Sequence, residues 1–457
     1  MTVLDEAAEP GALARRFPPA FAFGAATAAY QVEGSVNADG RGPSIWDTFS
    51  HTQGRTLNGD TGDVACDHYR RWASDLDLIA GLGLRAYRFS IAWPRIQPTG
   101  SGPANLAGLD FYDRLVDGLL ARGVEPWATL YHWDLPQAVE DQGGWTTRDT
   151  IARFGDYAAI VARRLGDRLP RLITINEPRT HALIGHGTGR HAPGRTGWAT
   201  ALRVAHHLHL AHNAAARAVR AEAPAIRVGI SHDVADLVPA GDGRDDAAAM
   251  ARHDAAMRDW FVGPTFGRGY PSDLLAWYDA HGFVDGIDPA EARLAEPIDF
   301  LGVNYYRRER IAAAPVTDGW GIGSRVVDHV GEHAGNGWEI SPGGLRAVLG
   351  RLHADYAPAE LAITENGATF DEPAVIDGMI DDAARRSYLA RHLAAAADAI
   401  EDGVPLVGYF AWSLLDNFEW ALGYGTRFGL VHVDYETQAR EPKASAHWYR
   451  SLLEAHR

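Results

Sequence analysis

A single cysteine, Cys66, occurs in 457 residues. That excludes an internal disulfide framework and any metal site built from several thiolates. Lysine is equally scarce: of 43 Lys plus Arg, only Lys443 is lysine. A P-loop needs Gly-Lys-Ser/Thr, and Lys443 follows Pro442, so there is none. Schiff-base and pyridoxal chemistry also need a lysine, which leaves this near-terminal one alone. No serine sits in Gly-x-Ser-x-Gly, so the usual nucleophile elbow is missing. Positive charge is in deficit, with 59 acidic residues and a net charge of −16. That argues against nucleic-acid or anionic-membrane partners, which need a basic face. No stretch reaches about 18 uninterrupted apolar residues, and residues 1–16 hold no apolar run of signal-peptide length. The expectation is a soluble cytoplasmic protein with a loose arm over residues 1–16 and one domain over residues 17–457.

What is present is an alternation of apolar strands and amphipathic helices. Strands are expected at Phe21–Ala25, Ala86–Trp93, Glu125–Trp133, Leu172–Pro178, Arg227–Asp233, Asp299–Tyr306, Leu361–Gly367 and Val407–Leu414. Between them, Leu109, Tyr112, Leu115, Val116 and Leu119 fall at helical spacing, as do Ile151, Phe154, Ala158, Val161 and Leu165. Asp110 and Asp149 are candidate near-start residues of these helices. Strand followed by helix, repeated eight times, predicts a parallel sheet closed into an α/β, (β/α)8 TIM barrel with long βα loops. An open doubly wound sheet is the alternative. The run Gly81-Leu82-Gly83-Leu84-Arg85-Ala86 resembles a dinucleotide fingerprint but leads from a helix into a strand, the reverse of what a phosphate site requires. It reads as a helix stop and turn.

Barrel chemistry sits at the C-terminal ends of strands. There Glu177 and Glu365 each end an apolar run. Either one alone reads best as a helix cap or an arginine partner. Together, on strands four and seven, they can face each other across the mouth, and paired carboxylates are the apparatus of glycoside cleavage. Trp93, Trp133, Trp412 and Trp420 also fall near strand ends, among 14 tryptophans in the chain. A core role explains many of these, but an indole at a barrel mouth offers a flat face to sugar C–H groups. Gln31, His132, Asn176 and Glu419 can serve neutral hydroxyls. A second constellation is His206, His207, His209 and His212 on one expected helix. His209 and His212 could share a face and hold a metal, but no carboxylate lies among them, and a packed or solvated helix face is the expectation.

Six segments, in order, resemble glycoside hydrolase family 1, the retaining β-glycosidases and β-glucosidases in particular. They are Phe23-Gly24-Ala25-Ala26-Thr27 with Gln31-Val32-Glu33-Gly34, Tyr87 to Trp93, Tyr131 to Pro136, Thr174 to Pro178, Ile363 to Gly367 and Trp412 to Trp420. The resemblance spans about Phe17 to Tyr449. It implies a retaining exo-β-glycosidase acting on terminal β-D-glucosyl residues, with tolerance for galactosyl or fucosyl. Glu177 is implied as general acid/base and Glu365 as nucleophile. Arg88, Tyr306 and Asn304 are implied as their support. Asn176 is implied at the sugar 2-hydroxyl, and Gln31, His132, Glu419 and Trp420 at the other hydroxyls. Trp412 forms the floor, with Trp133 and Phe428 as further sugar-site residues. Trp338 would line the leaving-group side with Arg179 and Thr180.

A retaining pair implies a carboxyl separation of about 5–5.5 Å. No cofactor and no metal is implied, and the partners are small β-glycosides and oligosaccharides, including those of cellulose breakdown. Glu419, with no lysine near it, speaks against 6-phosphorylated sugars. Glu177, where plant thioglucosidases have glutamine, speaks for an O-glycosidase. The departures lie on the leaving-group side. Arg179 stands where the family often has an aromatic residue, and is expected to turn to solvent rather than meet a polar or anionic leaving group. Gly343 stands where the family often has glutamate. A transglycosylating enzyme is the nearest alternative. A noncatalytic sugar-binding relative would lack one or both glutamates.

Overall fold

The computed structural model describes residues 9–316, 321–328, 330–371, 375–376 and 379–456. Its centre is a closed barrel of eight parallel strands. These are β1 Ala22–Ala26, β2 Ala86–Ser90, β3 Glu125–Tyr131, β4 Arg171–Asn176, β5 Arg227–Asp233, β6 Phe300–Asn304, β7 Leu361–Asn366 and β8 Leu406–Trp412. β1 closes the barrel against β8, from Ala22 opposite Gly408 to Ala26 opposite Trp412. β2, β6 and β7 are buried along their whole length, as strands covered on both faces must be.

The interior is filled rather than open. Phe410 of β8 packs on Trp127 of β3 with ring centroids 4.7 Å apart, and Phe300 of β6 meets the same indole at 5.3 Å. Gly24 of β1 has no alternative here, because a Cβ would sit 2.6 Å from the Phe410 ring and from the Ala86 carbonyl. This plug leaves the opposite, C-terminal strand ends as the place for a cavity.

The helices follow the expected periodicity. In Leu106–Ala121 the residues Leu109, Tyr112, Leu115, Val116 and Leu119 are buried, and in Asp149–Leu165 so are Phe154, Ala158, Val161 and Leu165. Asp149 opens its helix. Asp110 does not, since its helix begins a turn earlier at Leu106, and Asp110 instead pairs with Arg164 of the neighbouring helix at 3.0 Å. Gly81 ends the helix His68–Gly81 and Gly83 turns at φ +74° into β2.

Several strands stop earlier than the sequence suggests. β2 ends at Ser90 rather than Trp93, β3 at Tyr131 rather than Trp133, and β4 at Asn176 rather than Pro178. The reason is local. Trp133 (φ 75°) and Glu177 (φ 47°) leave the extended region, and Trp93-Pro94 opens a short helix. Of the expected arm, residues 1–8 lie outside the described residues. From Glu9 on the segment is packed: Pro10–Ala14 is helical, Leu13 and Ala14 are buried, and Arg16 pairs with Asp398 at 2.5 Å. A small three-stranded sheet, Asp236–Pro239, Arg308–Ala313 and Ser324–Val327, stands on the loops after β5 and β6.

Candidate active site

The C-terminal strand ends enclose a cavity of about 540 Å³ lined by Glu177 and Glu365. Both glutamates are almost fully buried. Three non-glycine residues at this rim, Trp133, Glu177 and Trp420, have positive φ, at 75°, 47° and 52°. Such conformations cost roughly 1–3 kcal/mol each and persist where surrounding contacts over-determine them.

The two carboxylates have different partners. Glu365 Oε1 accepts from Arg88 Nη1 at 2.5 Å and Oε2 from the Tyr306 hydroxyl at 2.5 Å. Glu177 Oε1 accepts from a neutral amide, Asn304 Nδ2, at 2.7 Å. Arg88 also donates to Asn176 Oδ1 at 2.7 Å, and Asn304 donates to the same oxygen at 3.0 Å, so one network ties both sides together. Burial, then the negative charges of Asp233 and Glu365, push the Glu177 carboxyl up to about 8. Burial also raises Glu365, but the Arg88 guanidinium and the Tyr306 hydroxyl oppose it. A cation and a phenol on Glu365, against only the neutral Asn304 amide and Thr180 hydroxyl on Glu177, decide the order: Glu365 ionises first and the proton stays on Glu177.

The residues expected on the sugar side divide into two layers. His132, Trp133, Trp412, Glu419, Trp420 and Phe428 line the cavity. Gln31, Arg88, Asn176 and Asn304 are buried beneath them. Asn176 Nδ2 donates to His132 Nε2 at 2.9 Å. The His132 proton therefore sits on Nδ1, which is buried and has no protein partner. Burial and the Arg88 charge hold this imidazole well below its usual pKa, so it is a neutral donor. Gln31 Nε2 donates to Asn417 Oδ1 at 3.0 Å, to the Phe418 carbonyl at 2.9 Å and to Glu419 Oε2 at 3.3 Å, leaving its Oε1 without a partner. Burial and the Glu365 charge push Glu419 up to about 8. The Trp133 indole N–H is spent on the Asn176 carbonyl at 2.9 Å, so this residue presents a face and not a donor. Trp133 and Trp46 pack tilted against Trp420, with centroids 4.8 and 4.5 Å from its ring.

The far side holds Trp338, Arg179 and Thr180 in the same lining. Trp338 packs on Tyr306 at 5.3 Å and carries the Arg307 guanidinium over its ring at 4.8 Å. The expectation for Arg179 fails. Its side chain is 11% exposed and is paired with Asp233 at the end of β5, because a carboxylate from the next strand meets it before water does. Asp233, His191, Arg307, Arg308 and Arg310 also line the cavity without having been singled out from the sequence. Asp233 ends a correctly delimited strand, so the strand-end rule could have found it. Arg308 and Arg310 ride on the small sheet and Arg307 immediately precedes it, and no barrel periodicity announces that sheet.

The four histidines of Trp198–Glu222 pack elsewhere. His206 meets the Tyr270 hydroxyl at 2.8 Å and Glu291 at 3.0 Å, His207 the Trp145 carbonyl at 2.8 Å, His209 the Leu294 carbonyl at 3.2 Å and His212 the Thr174 hydroxyl at 2.7 Å. Among the described residues, no three His, Cys, Asp or Glu side chains gather as a metal-holding group. Among them, too, no helix is long and apolar enough to cross a membrane.

A plugged parallel barrel with two unlike carboxylates in an indole-walled cavity defines a (β/α)8 glycoside hydrolase. More narrowly, the chain belongs to glycosyl hydrolase family 1, whose model matches residues 13–457. It is 46% identical over 451 residues to a beta-glucosidase of Agrobacterium sp., covering 97% of this chain and 96% of that one. It is 45% identical over 468 residues to a bifunctional beta-D-glucosidase/beta-D-fucosidase of Bifidobacterium breve, covering 96% and 98%. Among solved structures it resembles the beta-glucosidase from Thermotoga maritima in complex with deoxynojirimycin, with a TM-score of 0.92 and 43% identity over 96% of this chain and 99% of that one.

Proposed function

We propose that the protein is a retaining exo-β-glycosidase that releases terminal non-reducing β-D-glucosyl residues, with tolerance for galactosyl and fucosyl. The observation that carries this reading is the unequal partnering of the glutamates: a cation, Arg88, with Tyr306 on Glu365, and only neutral donors on Glu177. A carboxylate attended by a cation is suited to attack, and a buried carboxyl that keeps its proton near neutrality is suited to donate it. In the first step Glu365 attacks the anomeric carbon while Glu177 protonates the glycosidic oxygen, and the leaving group departs as an alcohol. The Glu365 charge is then consumed in an ester. One cause of the raised Glu177 pKa disappears, so Glu177 can take a proton from water. Water attacks the anomeric carbon, the ester breaks and both glutamates return to their starting states.

Around this pair, Trp412 lies under the ring, and Gln31, His132, Glu419 and Trp420 take the 3-, 4- and 6-hydroxyls. Asn176 takes the 2-hydroxyl through its remaining amide hydrogen. The unpartnered Gln31 Oε1 and His132 Nδ1 support this assignment, since buried polar atoms want partners. Two carboxylates carry both proton transfer and attack, so the scheme calls for no cofactor. Interception of the same ester by an alcohol would give transglycosylation. The reading places the enzyme in the cytoplasm, acting on oligosaccharides of cellulose breakdown. The test is nitrophenol release from 4-nitrophenyl β-D-glucoside by the wild type and Glu365→Ala. Turnover that collapses by roughly 10⁴-fold or more in the variant supports the reading. A folded wild type silent on this substrate and on the galactoside overturns it.

A further inference from the structure

Asp233 ends β5 beside the strand end that carries Glu177. The Glu177 amide donates to the Ser231 carbonyl at 2.8 Å, and Asp233 lies opposite Asn304, the residue that donates to the Glu177 carboxylate. One oxygen of Asp233, Oδ2, accepts from Arg179 and, at 3.3 Å, from the Thr180 hydroxyl. These are the second and third residues after Glu177. A single carboxylate oxygen thus ties down the left-handed turn from which Glu177 projects. The other oxygen, Oδ1, is buried with no protein partner.

Charge follows the same geometry. The negative charge of Asp233 acts on Glu177 ahead of that of Glu365. Arg179 brings a positive charge into the same wall, and pairing with Asp233 offsets it. Other groups face this pair. Glu365 faces it from β7. Arg307, just before the small sheet, pairs at 2.6 Å with Glu309 on it, and His253 stands 3.8 Å from Glu309. His232 of β5 is held neutral by burial, its pKa pushed down to about 3. Tyr306 stays a neutral phenol, since burial raises it well above its usual value. Asp233 also acts on Glu365 and Arg307, and Arg179 on His232 and Glu309, so the acid limb is followed beside the basic one.

We propose that Arg179 and Asp233 are a positioning pair for the catalytic acid: Asp233 anchors the Glu177 turn and screens the Arg179 charge from the Glu177 proton. The inference rests on the role given to Glu177 above. It makes a signed demand. Removing the anion leaves an uncompensated cation beside the acid and favours its ionised form. Removing the cation leaves an uncompensated anion and favours its protonated form.

The experiment is the pH dependence of kcat/KM for the wild type, Asp233→Asn, Arg179→Gln and the double variant, on cellobiose and on 4-nitrophenyl β-D-glucoside. The basic limb should move down in Asp233→Asn and up in Arg179→Gln, each by about half a pH unit or more, and return toward the wild type in the double variant. Asp233→Glu should restore it. Cellobiose, with an alcohol leaving group that needs the proton, should lose more above neutral pH than the nitrophenyl glucoside. Unmoved limbs with equal losses at every pH, the signature of a merely structural pair, overturn the proposal alone, and so do limbs that move the same way in both single variants. A wild type inactive on both substrates overturns the glycosidase reading and this inference with it.

Discussion

Arg88 holds Glu365 directly, its Nη1 2.5 Å from Oε1, and both side chains are shut away from solvent. The same guanidinium reaches Asn176 through Nη2 at 2.7 Å and Thr129 through Nε at 3.2 Å. A buried ion pair of this kind is costly to break from one side, because the surviving charge is left without a partner.

Arg88→Met is therefore expected to hurt twice. Removing one partner of such a pair costs about 3–5 kcal/mol, read as a lower midpoint of thermal unfolding. Activity should fall by about 10²-fold or more, because the nucleophile loses both its orientation and the charge that favours its ionised form. Arg88→Lys keeps the charge but not the fork that spans Glu365 and Asn176, and should recover stability better than kcat. Calorimetry and steady-state kinetics on the two variants separate these effects.

The pH profile of kcat/KM should be bell-shaped. Its basic limb should lie near pH 8, where Glu177 gives up its proton. Its acid limb reports Glu365, which must be ionised to attack. Tyr306→Phe removes a hydrogen bond that lowers the Glu365 pKa, so the acid limb should move upward while the basic limb stays in place. An unmoved acid limb in this variant would take Glu365 away from that limb.

Glu177 should also cost the fold. Its pKa rises from an ordinary 4.5 to about 8 on folding. Stability from this group is complete below pH 4.5 and is lost as pH rises toward 8, because the unfolded chain sheds a proton that the folded one keeps. Glu177→Gln escapes that loss. Its unfolding free energy should match the wild type near pH 4 and exceed it increasingly up to pH 8, by about 1 kcal/mol per pH unit. Unfolding curves at several pH values test this, and a gap that shrinks as pH rises contradicts it.

The barrel and the buried charges at its mouth are legible for a definite reason. Glu365 and Arg88 are charged residues on otherwise apolar strands, Glu177 directly follows one, and a charge there needs a partner or a task. Strand count and order followed from the eight apolar runs, because their two-sided burial leaves nearly continuous hydrophobic stretches. The strand ends were less legible, since the positive φ of Trp133 and Glu177 belongs to the assembled site and to no local propensity. Arg179 was misread for a related reason. Its partner Asp233 lies 54 residues away, and only barrel closure brings the two together. The packed segment Pro10–Ala14 escaped notice because one short turn carries too little periodicity to read.

The central claim is double displacement through Glu365, and stereochemistry tests it most directly. Proton NMR of the hydrolysis of a β-D-glucoside by the wild type should show β-D-glucose first, with the α-anomer appearing only at the rate of spontaneous mutarotation. Two inversions through a Glu365 ester give that result. α-D-Glucose as the first product would mean a single inversion, and would contradict the nucleophilic role of Glu365.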